Sequence, residues 1–197
     1  MRARPFFWHD AYESEERKLV SEFVGPGDEV LEIGGGIGVV ACELDRIIGP
    51  ASKHVVVEAN PALISILAKN RKTNGAHFSL VHGALANSRE VLFGSGNSYL
   101  QGQTNGGAEP VIGYTLKDLF AHLGNFNVLI VDIEGAESVL ISQLAEVAAL
   151  VRTIIIEFHP SILGLDETRR LRSVIEQFGF AVLGEVGDVV AFEKSQR

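Results

Sequence analysis

A chain of 197 residues, nearly half of them hydrophobic, is long enough to bury one complete core and short for two, so a single domain is expected. Lysine and arginine number 17 against 25 acidic residues, for a net charge of -8, and no stretch gathers them into a phosphate-tracking stripe, which argues against a nucleic-acid partner. The lone cysteine, Cys42, can form no internal disulfide, MRARPFFWHD lacks the apolar run of a secretory signal, and no run reaches transmembrane length, so a cytoplasmic protein without membrane contact is expected.

In chain order, a helical segment to about residue 26 precedes a short apolar strand, Glu29 to Ile33. Ile37 to Ile48 then reads as a helix, His54 to Glu58 as a strand, and Pro61 to Lys72 as a helix with proline in its first turn. His77 to His82 and Arg89 to Phe93 read as extended pieces. From Gly94 to Pro110 the chain is rich in Gly, Asn and Gln without apolar periodicity, the mark of a passive insertion or of a binding loop that closes over substrate as a lid. Thr115 is a candidate N-cap for the helix LKDLFAHL. The strand NVLIVD follows, then a helix from about Ala136, the strand TIIIEF, and a helix from Asp166 to Phe178. Two apolar runs around Gly187-Asp188 close the chain as an antiparallel hairpin. Strands apolar on both faces, alternating with helices, predict an α/β, Rossmann-like doubly wound sheet, mostly parallel, with that hairpin at one edge.

Residues 31 to 38 read LEIGGGIG, with Glu32 beside glycines at 34, 35, 36 and 38. So many glycines between a first strand and a first helix imply that something approaches the backbone closely, either a ligand or another element. Glu58, ending the second strand, stands where such folds accept hydrogen bonds from both hydroxyls of a ribose. Two acids at adjacent strand ends are costly without donors, and a cofactor carrying ribose hydroxyls and an ammonium would supply them.

EIGGGIG, with Glu58-Ala59-Asn60-Pro61 after the second strand, resembles the class I S-adenosylmethionine-dependent methyltransferases. Tyr12-Glu13, GPGDEVLEIGGGIG, VVVEANP, Asn70, Asn74-Gly75, TLKDL, VDIEGAE and IIEFHP resemble, in order, the FkbM-type methyltransferases, from about Tyr12 to Pro160. The chain departs from that pattern at Gly36, where Asn is common, and at Ile130, where a lysine is common. The resemblance implies S-adenosyl-L-methionine as cofactor. It also implies methylation of a hydroxyl on a small molecule such as a sugar or natural product. Carried over, Glu32 and the backbone of Gly34, Gly36 and Gly38 would surround the methionine portion, Glu58 would hold the ribose, Ala84 would lie near the adenine, and Ala59 would also belong to the cofactor site.

An alcohol acceptor must lose its proton during transfer, to a base or with the help of a metal. Asp132, Glu134, Glu157 and His159 fall at the carboxyl ends of two strands, where ligands bind in these sheets. His159 is the preferred base, because an imidazole accepts a proton near neutral pH without a special shift. Asp132 would face the cofactor and Glu134 would orient the acceptor or His159. Glu137, in a helix's first turn, reads as a partner for the helix dipole. The other histidines lack ligand spacing, and three acids with a histidine suit a metal-free site as well as Mg2+, so no metal is expected. Alternatives are N-methylation of a small amine, a nicotinamide-dependent oxidoreductase, which would have a parallel last strand, and a silent cofactor-binding protein.

Overall fold

The structure, a computed structural model, describes residues 12–93 and 109–195. Helix α1 (Ser14–Phe23) precedes β1 (Val30–Ile33), α2 (Val39–Ile48), β2 (His54–Glu58), α3 (Pro61–Asn74) and β3 (Ser79–His82). After three short strands, β4 (Ala84–Leu85), β5 (Glu90–Phe93) and β6 (Glu109–Tyr114), come α4 (Leu116–Leu123), β7 (Val128–Val131) and α5 (Glu137–Gln143). The chain finishes with β8 (Thr153–Glu157), α6 (Pro160–Leu163), α7 (Leu165–Gln177), β9 (Phe180–Val186) and β10 (Val189–Lys194).

The seven-stranded sheet runs β3-β2-β1-β7-β8-β10-β9. Strands β3, β2, β1, β7 and β8 are parallel, and β10 is antiparallel to both β8 and β9. The expected hairpin is therefore present, with its second strand inserted between β8 and β9. Strands β1 and β7 are buried at every residue, as helices on both faces require. Alternate side chains serve opposite layers. Leu31, Leu129 and Ile154 pack with Leu119, Leu140 and Leu171 of α4, α5 and α7, whereas Val30, Val128 and Ile155 pack with Leu19 and Leu44 of α1 and α2.

Local signals fix the element ends. Thr115 and Asp118 form a reciprocal capping box on α4, and Asn60 caps α3, whose last turn ends at left-handed Gly75. Helix α7 matches the helix expected from Asp166 to Phe178, and Gly164, at φ 84°, separates it from the short α6, which was not expected.

One segment departs from the sequence expectation. The irregular stretch was expected to reach Pro110, yet β6 begins at Glu109 and forms a small sheet of order β4-β6-β5. The inward positions of β6 are Val111 and Gly113, so half of its apolar alternation has no side chain to reveal it. A Cβ at Gly113 would lie 1.9 Å from the Ser88 carbonyl oxygen, which explains the glycine. The remainder of the expected loop or lid, 94–108, and the segment before Tyr12 lie outside the described residues.

Candidate active site

Strands β1, β2, β7 and β8 end on the same side of the sheet, and the chain crosses from one half to the other between β1 and β7. A crevice opens at such a switch point. Here it is a cleft of about 800 Å³. Gly34, Gly36, Glu58, Ala59, Ala84, Asp132 and Glu134, all expected from sequence, line it together.

The glycine run serves two ends. A Cβ on Gly34, at φ 94°, would sit 1.6 Å from the Asp132 carbonyl oxygen, and one on Gly38, at φ 84°, would sit 2.4 Å from Leu67. These two allow backbone and helix to close on each other. Gly36, at φ 51°, faces the cleft instead, and the nearest atom to a Cβ there is Glu13 Oε1 at 3.5 Å. Its N–H donates to Glu58 Oε2 at 2.8 Å, while the Asn60 N–H donates to Glu58 Oε1 at 2.6 Å. Glu58 thus ties the two loops that flank the cleft. Burial raises its pKa against those backbone hydrogen bonds.

Two expected cofactor residues lie behind the cleft wall. Gly38 caps α2, and Glu32 is buried with its Oε2 3.1 Å from His54 Nε2. Burial raises the Glu32 pKa while His54 opposes the rise.

Tyr12 and Glu13 also line the cleft and were not singled out as site residues in the sequence, although Tyr12-Glu13 was part of the family pattern. Glu13 holds a left-handed backbone at φ 50°, uncommon for a residue with a side chain, at the N-cap of α1. Burial, with the charges of Glu32 and Asp132, pushes its carboxyl up to about 8. One turn on, Glu16 is buried and held well above the usual carboxylate range, first by burial and then by the same neighbours.

At the far rim four acids surround one imidazole. His159 Nδ1 lies 2.5 Å from Glu137 Oε1, and its Nε2 lies 3.4 Å from Glu134, 3.5 Å from Asp132 and 3.8 Å from Glu157. Glu134 reaches this cluster from a left-handed turn, φ 47°, followed by Gly135 at φ 96°. Burial alone would lower the His159 pKa, but the Glu137 hydrogen bond and the charges of Glu137, Asp132 and Glu134 outweigh it and hold it at about 9. At neutral pH His159 is therefore an imidazolium, and the ordinary pKa on which its role as base rested does not hold. Asp132, raised by burial and the Glu157 charge to about 7 despite His159, is the member poised near neutrality. Glu137, fully buried, is more than a dipole partner. Only the tertiary approach of β8 to α5 reveals its contact with His159.

Residues 30–182 match the methyltransferase FkbM domain. This chain belongs to the FkbM methyltransferase family. No curated protein matches this methyltransferase. Its fold is similar to the precorrin-6y C5,15-methyltransferase of Geobacter metallireducens, at 13% identity and TM-score 0.61, covering 91% of this chain and 87% of that one. Aeropyrum pernix fibrillarin with natively bound S-adenosyl-L-methionine matches at 14% and 0.56, covering 90% and 72%. A putative O-methyltransferase of Klebsiella pneumoniae matches at 14% and 0.56, covering 97% and 84%. The FkbM methyltransferase uses S-adenosylmethionine as its cofactor. Its cleft fits that molecule: Gly36 leaves room at the backbone, Leu63, Ala84 and Leu85 give an apolar wall, and Glu58 and Glu13 offer acceptors. The antiparallel β10 departs from the parallel last strand expected of a nicotinamide-dependent oxidoreductase. Among the described residues no helix is long and apolar enough to cross a membrane.

Proposed function

We propose that this methyltransferase methylates a hydroxyl oxygen on a small molecule such as a sugar or natural product. The observation that carries the reading is the acid and imidazole cluster at the rim of the cleft, because an alcohol needs somewhere to send its proton and a neutral amine does not. S-adenosylmethionine, when bound, supplies an electrophilic methyl group. Glu58 would hold its ribose hydroxyls, the backbone near Gly34 and Gly36 with Glu13 its methionine end, and Ala84 with Leu85 its adenine.

Within the cluster, the Asp132 carboxylate takes the proton from the acceptor hydroxyl. His159 stays charged, which keeps Asp132, Glu134, Glu137 and Glu157 from repelling one another and holds Asp132 in place. Glu134, the most exposed of the four, orients the acceptor by accepting a second hydrogen bond. The net charge of -8 further supports an acceptor other than nucleic acid.

The test is product analysis: the protein is incubated with methyl-labelled S-adenosylmethionine and separate panels of sugars and phenols, primary amines and transfer RNA. Methyl ethers are expected. Methylation confined to nitrogen or to RNA refutes the reading.

A further inference from the structure

Asp132 follows β7, Glu157 ends β8 and His159 comes two residues later, and one ligand atom from each lies within 4.8 Å of the others. Glu137, fully buried, holds His159 Nδ1 and so turns Nε2 toward Glu134 at 3.4 Å, Asp132 at 3.5 Å and Glu157 at 3.8 Å. These separations are long for hydrogen bonds. They suit atoms that share an ion, since two ligands each about 2.1 Å from one cation stand about 3.0 Å apart at a right angle and about 3.4 Å apart at a tetrahedral angle. A carboxylate on the far nitrogen is also the usual outer partner of a metal-binding imidazole. A second observation is independent of spacing. Asp132 Oδ1, the oxygen facing His159 Nε2, is buried and accepts no hydrogen bond among the described residues, and at 3.5 Å the imidazole does not supply one, which leaves a buried acceptor open to a ligand.

We infer that Asp132, Glu157 and His159 bind one divalent cation, with Glu134 close enough to join them. This departs from the metal-free site expected from sequence. One imidazole with two or three carboxylates suits Mn2+ or Mg2+. The ion takes over the positive charge that the imidazolium supplies in its absence. Its use rests on the O-methylation reading: the cation binds the acceptor hydroxyl and lowers its pKa, so that the second oxygen of Asp132 suffices to take the proton.

Mn2+ is titrated into chelator-treated protein, and free Mn2+ is followed by electron paramagnetic resonance. One Mn2+ per chain is expected, displaced by excess Mg2+, with binding at least tenfold weaker in Glu157→Gln. Glu157 does not line the cofactor cleft, so unchanged calorimetric affinity for S-adenosylhomocysteine shows that the variant is folded. If that affinity is lost, His159→Asn decides on the same criterion. Wild-type protein that binds no Mn2+, or binding untouched by both substitutions, overturns the site. Alcohol methylation that survives the chelator overturns the ion's role and leaves O-methylation standing. Mn2+ bound here in a protein that methylates only nitrogen does the reverse.

Discussion

Replacing Gly34 by alanine tests whether the two halves of the site are joined at backbone level. The added Cβ would lie 1.6 Å from the Asp132 carbonyl oxygen, less than half a van der Waals contact, on a residue held at φ 94°. Relief requires the exits of β1 and β7 to part, which breaks the Asp132 N–H bond to Ile33 at 3.0 Å and strains the Gly34 N–H bond to Val57 at 2.9 Å. Two buried backbone bonds at about 0.5 to 1.5 kcal/mol each, with about 1 to 3 kcal/mol of backbone strain, give a loss of roughly 2 to 6 kcal/mol. At about 2 to 4 °C per kcal/mol for a chain of this size, the melting temperature should fall by roughly 4 to 24 °C. Gly36→Ala is the control: it meets nothing closer than 3.5 Å, so it should cost about 1 to 2 kcal/mol while weakening S-adenosylhomocysteine binding by intruding on the cleft. Differential scanning calorimetry and isothermal titration read the two effects. A Gly34→Ala protein that melts with the wild type refutes the close approach.

Glu58→Ala removes an acceptor from the cleft and the tie between Gly36 and Asn60, so affinity for S-adenosylhomocysteine should fall at least tenfold, about 1.4 kcal/mol. Unchanged calorimetric affinity would remove Glu58 from the ribose site. Stability should also depend on pH through Glu13. Its folded pKa of about 8 lies above the ordinary 4.5, so its contribution is complete below about 4.5 and is lost as pH rises through about 8. Glu16 adds in the same direction, and Glu32 and Asp132 are the charges that face Glu13. Urea denaturation of chelator-treated protein should show stability declining over that window, with a shallower decline in Glu13→Gln. Equal slopes would refute a buried, protonated Glu13.

The doubly wound sheet was legible because β7 and β8 are apolar on both faces, β1 is apolar but for Glu32, and all three end at glycine or acid. Asp132, Glu157 and His159 could be found for the same reason, since a strand's end is visible in sequence. Glu32 was harder. It alternates with Leu31 and Ile33, so the period of a strand turns it to the other face, toward His54, rather than toward the ligand beside its glycines. Glu137 had a sufficient local explanation in its helix's first turn, and nothing local links it to a histidine 22 positions later. The pKa of His159 was illegible because it depends on Asp132, Glu134 and Glu137, which the segment from β7 into α5 brings against it from more than 20 residues away in sequence.

The insertion of β10 between β8 and β9 has a consequence for biosynthesis. Strand β8, with the sequence TIIIE, has β7 on one side from early in the chain but gains its other neighbour only when residues 189–194 arrive. Until then it exposes an unpaired, strongly apolar edge, the kind of template on which nascent chains associate with one another. Vectorial folding of the first half can therefore shape the side of the sheet bearing Gly36 and Glu58, while the side bearing Glu157 and His159 waits for nearly the whole polypeptide. A ribosome that stalls short of Val189 would release a chain with a formed first half and an adhesive second one.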